Sequence, residues 1–267
     1  MIEAPVPTLS PLVKRQERLA EIYYPESDGK PVGETDFHVA ALFYLWQALR
    51  FHYRNDPDVY VAGNLLFYYE QGNIAEFKVP DVFVVKGVAK HDRRVYKLWE
   101  EKEAPCVVFE ITSRSTRLDD LGSKRALYEM LGVREYYLFD PLDEYLRPRL
   151  QGFKLVAGMY QPVKPSPDGS LLSQELGLVL RADGNLLRVV DPRTGQPMPT
   201  LNEAVSLMED ALEIARSEAQ RAQTEAQRAQ TEAQRAQAET QRAAAAEARS
   251  AQLEAEIERL HRLLDDL

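Results

Sequence analysis

Apolar residues recur along this chain in three rhythms, and each predicts a different element. From Asp36 to Tyr53 the period is helical, with His38, Leu42, Leu45, Leu49 and His52 on one stripe, which predicts a helix turned inward on that face. Runs rich in β-branched and aromatic residues follow near Val59 to Tyr69, Lys78 to Val85, Ala104 to Thr112 and Glu135 to Phe139, and these read as strands. Between the last two, Leu118 to Leu131 is again helical, with Thr116 as N-cap, Asp119 three residues on and Gly132 as the stop. Strands interleaved with helices give an α/β or α+β core.

Two of the strand runs carry a charge. Val79-Pro80-Asp81-Val82-Phe83-Val84-Val85 has an acid near its start, and Pro105-Cys106-Val107-Val108-Phe109-Glu110-Ile111 has one near its end. An unpaired carboxylate in a core is strongly disfavoured, so each is neutralised, matched with a cation or bound to a metal. The helical stripe Leu121, Lys124, Tyr128, Leu131 brings a cation to an inward face, while Arg125 and Glu129 are expected to face water. Taken singly, Asp81 reads as a turn residue capping local amides, Glu110 as an ion-pair partner of Arg114 or Arg117, and Lys124 as a lysine that snorkels outward. Together they point to a site. Mg²⁺ prefers oxygen ligands and keeps several waters, so two carboxylates plus a substrate phosphate suffice to hold it.

In this order the residues resemble the PD-(D/E)xK nuclease superfamily. Glu110-Ile111-Thr112-Ser113-Arg114-Ser115-Thr116, then Lys124-Arg125-Ala126-Leu127-Tyr128, then the run from Gly132 to Pro141, is similar to its Uma2-type (DUF820) branch, over roughly Tyr24 to Asp140. The resemblance implies a restriction-endonuclease-like mixed central sheet flanked by helices, and metal-dependent cleavage of DNA. Asp81, Glu110 and Lys124 would be catalytic, with Glu34 as an extra acid near the first helix. Mg²⁺, or Mn²⁺ in its place, would be held by Asp81, Glu110 and the backbone carbonyl of Ile111. One position departs from the superfamily: Thr112 stands where its lysine would be, and Lys124 is the replacement that the Uma2-like pattern implies. The alternative is a degenerate nuclease-like platform without activity. Thr112 favours that reading, and the joint presence of Asp81, Glu110 and Lys124 favours catalysis.

Length permits one large domain or two small ones in 267 residues. Three regions separate: a nuclease-like core over 1–140, a Pro-rich β extension over 141–200, and a heptad helix over 201–267. The second holds half of the 16 prolines, with hairpin signals at Pro167-Asp168-Gly169 and Ala182-Asp183-Gly184-Asn185. In the third, Glu218, Glu225, Glu232 and Glu239 recur every seven residues, and Arg221, Arg228, Arg235 and Arg242 follow each by three. Leu253, Ile257, Leu260, Leu264 and Leu267 then form a coiled-coil seam, which predicts a homo-oligomer, although the alanine-rich stretch before it also suits a solitary helix.

No apolar run approaches the ~20 residues of a membrane span, and the first residues lack a signal-peptide pattern. With one cysteine, Cys106, that can form no internal disulfide, a cytoplasmic protein is expected. The net charge of −9 is adverse for DNA, but the tail from Leu201 holds 14 acids against 8 arginines, leaving −3 for the rest. His91, Arg93, Arg94, Lys97, Lys102, Arg114, Arg117, Lys124 and Arg125 make the predicted site locally basic.

Overall fold

The computed structural model describes residues 22–29 and 34–265. The Pro-rich opening arm before residue 22, and Leu267 at the end of the expected seam, lie outside them. In chain order the elements are α1 (Asp36–His52), β1 (Val59–Gly63), β2 (Phe67–Tyr68), β3 (Phe77–Lys78), β4 (Val82–Lys86), β5 (Tyr96–Lys97), α2 (Leu98–Glu101), β6 (Val107–Ile111), α3 (Arg117–Leu121), α4 (Ser123–Met130), β7 (Glu135–Phe139), β8 (Leu150–Val156), β9 (Met159–Pro162), β10 (Leu171–Ser173), β11 (Leu178–Asp183), β12 (Leu186–Val190) and α5 (Leu201–Asp265). The chain divides into two compact units, Met1–Thr200 and Leu201–Leu267.

The first unit is built on a mixed sheet of order β1-β4-β6-β7-β8-β9, in which β6 and β7 are the parallel pair. A parallel connection needs a crossover, and α3 and α4 supply it. Strand alternation then decides which side chains meet α4. In β4, Phe83 and Val85 join Val108, Tyr128, Val133 and Tyr136 in one core, while Val82 and Val84 join Val107, Phe109, Ile111 and the residues of α1 in the other. Glu110, out of phase with Phe109 and Ile111, therefore belongs to the α4 face.

Helix α1 starts as its sequence suggests, with the Thr35 hydroxyl accepting from the His38 amide at 3.3 Å. Its buried stripe is His38, Ala41, Tyr44, Leu45, Ala48 and Leu49. The predicted Leu42 and His52 are only half-buried, because the two alanines let the helix settle with Tyr44 inward. The Tyr44 hydroxyl donates to the Met198 carbonyl at 2.9 Å and accepts from the Val189 amide at 3.2 Å, fixing α1 on β12.

The single strand expected over Val59 to Tyr69 is two strands in different sheets. Asn64 takes a left-handed conformation, φ 49°, and its amide donates to the Asp81 carbonyl at 2.9 Å, so β1 ends and β2 leaves for a small sheet with β3 and β5. Beyond residue 140 the structure also differs from a separate extension: β8 and β9 continue the central sheet. Gly152 in β8 allows this, since a Cβ there would lie 2.7 Å from Tyr137 and 2.9 Å from Leu171. The sheet β10-β11-β12 includes the predicted hairpin, closed by Gly184 and Asn185. It is tied to β7 by buried Glu135, which accepts from the hydroxyls of Tyr137 and Ser173 and from the amides of Gln174 and Glu175.

The second unit is one unbroken helix of 65 residues, about 100 Å at ~1.5 Å per residue. Its described side chains are exposed almost throughout, Leu253 and Ile257 of the expected seam included. Among the described residues no helix is long and apolar enough to cross a membrane.

Candidate active site

Antiparallel register places the two predicted carboxylates together. β4 and β6 pair Val82 with Phe109 and Phe83 with Val108, so one step beyond the last pair Asp81 stands opposite Glu110. Directly opposed residues hold their Cβ atoms roughly 5 Å apart. Asp81 is fixed there because its Oδ2 accepts from the Ile111 amide at 2.6 Å.

Lys124 arrives from above the sheet. Its Nζ lies 2.8 Å from Glu110 Oε2 and 2.9 Å from Asp120 Oδ1, and the Tyr128 hydroxyl donates to Glu110 Oε1 at 2.9 Å. Lys124 and Tyr128, four apart, share one face of α4, and Asp120 joins them from α3. The predicted continuous helix is broken at Gly122, and the break turns Leu121 outward while Asp120 is buried. The stripe facing the sheet is thus Asp120, Lys124, Tyr128, in place of one containing Leu121. Thr116 makes no side-chain cap to α3 and bonds Ser113 instead. Arg125 and Glu129 do not simply face water either: Arg125 lies 4.1 Å over the Phe153 ring, and Glu129 accepts from the Tyr160 amide.

His38, expected to be a packing residue, links two acids. Its Nε2 is 3.1 Å from Asp81 Oδ1, and its Nδ1 is 3.6 Å from Glu34 Oε2. Glu34 thus reaches the centre only through His38. Neither Arg114 nor Arg117 is the partner of Glu110; Lys124 is.

Burial and neighbouring charge shift Glu110, Lys124, His38 and Tyr128. Burial pushes the Glu110 carboxyl up, Lys124 opposes that, and Asp81 and Asp120 reinforce it, leaving it at about 8. Burial alone would lower Lys124, but Glu110, Asp120 and Asp81 hold its ammonium charged well above the ordinary range. Burial would likewise lower His38, yet the hydrogen bond and charge of Asp81, with Glu34 and Glu110, raise it. Tyr128 is raised by burial and by Glu110, and so stays a donor.

Three acids act on one lysine here, and once Glu110 ionises their excess of negative charge is what a divalent cation would relieve. Among the described residues no group of three His, Cys, Asp or Glu side chains is spaced to hold a metal. Asp81 and Glu110 are the pair that would hold a hard cation, and their oxygens are engaged by His38, the Ile111 amide, Lys124 and Tyr128.

The sequence family described as "Putative restriction endonuclease", Uma2, matches residues 13–185. The chain belongs to the Uma2 family. A solved structure, described as that of a "putative nuclease belonging to DUF820" from Anabaena variabilis ATCC 29413, is similar with a TM-score of 0.40 and 14% identity over 55% of this chain and 76% of that one. No curated protein matches.

The lysine comes from α4, and buried Thr112 follows the last residue of β6. A cavity of about 460 Å³ opens beside the centre, sharing Glu34 and His38 with it and lined also by Phe37, Thr112, Arg114, Asp140 and Tyr145. Much of the expected basic surface is structural. Arg93 pairs with Glu101 at 2.6 Å and covers the Tyr60 ring, Arg94 pairs with Glu26 at 2.6 Å, and Lys97 with Glu100 at 3.0 Å. Arg114 and Arg117 are both exposed, and Arg114 lines the cavity.

Proposed function

We propose that this protein is a metal-dependent endonuclease hydrolysing phosphodiester bonds of DNA, with Asp81, Glu110 and the Ile111 carbonyl as ligands for Mg²⁺ or Mn²⁺. The observation that carries this reading is the meeting of Lys124 with Glu110 at 2.8 Å on a sheet face where register also sets Asp81. Bound there, the cation would polarise a phosphoryl oxygen and make its water nucleophilic near neutral pH. Lys124, kept protonated by its acids, is a charge stabiliser and water-orienting donor rather than a base. Tyr128 and His38 hold the two carboxylates in place, and Glu34 acts through His38 as a positioning residue.

The test is nicking of supercoiled plasmid by the full chain with Mg²⁺ or Mn²⁺. Nicking should require the cation and disappear in Asp81→Ala; no cleavage on plasmid or single strands would refute the enzyme. The competing reading is a non-catalytic platform, favoured by the way Lys124 is already shared between Glu110 and Asp120. Calorimetry separates the two, because a platform need not bind Mg²⁺.

The heptad tail is read as the assembling element, through the seam that begins at Leu253 and Ile257. Light scattering should give a smaller oligomer for a chain ending at Pro199 than for the full chain. Equal masses would remove the tail from assembly.

A further inference from the structure

Thr112 is 2% exposed, and its Oγ1 is a buried polar atom without a hydrogen-bond partner. Its amide donates to the Phe139 carbonyl at 2.7 Å, so the hydroxyl is not drawn to its own N–H. A buried hydroxyl left unpaired costs stability, and such an atom calls for an explanation outside the resting fold. Here the residue lines the cavity beside the acids. It follows the last residue of β6, two positions after Glu110.

Part of the remaining lining suits a nucleotide, beside the carboxylates of Glu34 and Asp140. Phe37, 44% exposed, and half-buried Tyr145 offer aromatic surface, and Ser113 and Arg114 offer a hydroxyl and a cation of the kinds that contact phosphate and sugar. A space of about 460 Å³ is of a size to hold one nucleotide. A base can enter only if it is out of its duplex.

We infer that this cavity takes a single unpaired nucleotide of a DNA strand beside the scissile phosphate, bonded by the Thr112 hydroxyl and packed on by Phe37 and Tyr145. That the strand is a substrate rests on the nuclease reading. The replacement of a strand lysine by threonine thereby acquires a purpose: with the charge delivered by Lys124, position 112 is released for recognition.

Fluorescence anisotropy on the full chain in EDTA, with a labelled single-stranded oligodeoxynucleotide and a blunt duplex of the same sequence, reads the cavity without cleavage. The single strand should bind tighter than the duplex. Phe37→Ala should weaken it by roughly 5- to 100-fold, the range expected for losing one stacked base. Thr112→Val should weaken it about 5-fold or more, and should also raise the melting temperature of the free protein by ~2–4 °C, because the orphan hydroxyl is gone. Equal binding of duplex and single strand, no binding of either, or unchanged affinity in both variants overturns the cavity. So does a lowered melting temperature in Thr112→Val, which would give the hydroxyl to the fold. Normal binding by both variants alongside nicking that only Asp81→Ala removes would sink the cavity and keep the nuclease. Specific single-strand binding without any nicking does the reverse.

Discussion

Lys124→Met is expected to destabilise the first unit by about 3–5 kcal/mol, the usual cost of removing one partner from a buried charge cluster. The side chains of Glu110 and Asp120 are each 1% exposed and that of Lys124 is 12%, so the two acids left behind have little water to turn to. Methionine keeps the volume of the stem, which limits the loss to electrostatics. Above pH 8, where the carboxyl is ionised, adding Glu110→Gln should recover part of the deficit, since the amide still accepts from Tyr128 and carries no charge. Urea denaturation of both variants provides the measurement. A Lys124→Met protein within 1 kcal/mol or so of wild type would mean that the lysine reaches solvent and the pairing described above is not maintained.

Raising the pH of the cation-free protein from 5 to about 8 should lower its stability, by on the order of a few kcal/mol. The sign follows from Glu110: burial and its acid neighbours raise the carboxyl from its ordinary 4.5 to about 8, so across that window the folded state holds a proton that the unfolded state has released. His38 is also raised and adds to the fall above pH 6.5. The part between pH 5 and 6.5 is therefore the signature of Glu110 and should flatten in Glu110→Gln. Added Mg²⁺ should raise the melting temperature more at pH 8 than at pH 6, since it competes with that proton. A flat profile in wild type, or an unaltered slope in Glu110→Gln, would show Glu110 ionised throughout.

The residues that announce themselves in the sequence are those that violate their surroundings. Asp81 and Glu110 stand out in runs of Val and Phe, and Lys124 on a helical stripe, because charge among apolar neighbours needs no knowledge of topology to be noticed. Asp120 was hidden by its neighbour: Asp119-Asp120 reads as solvated first-turn acid, and only the spacing to Lys124 and Tyr128 hints that one of the pair turns inward. His38 was hidden differently, since a histidine on an apolar stripe is ordinary and its partner is 43 residues away. Glu135 opens a strand and looks like an edge acid, yet it is buried by a sheet whose docking no local pattern foretells. Long-range pairing is likewise why one run at Val59 to Tyr69 serves two sheets. What depends on neighbours in sequence was legible; what depends on neighbours in space was not.

A lysine carried on α4 rather than on β6 also affects how related chains are recognised. Any search template that demands a basic residue two places after the acid would discard this protein, although its ammonium and carboxylate touch. The quantity to be matched is the meeting point of the two groups, and a surface helix offers more routes to that point than a pleated ribbon does. In chains dismissed as having lost their cation, the missing charge is to be sought one helix further along.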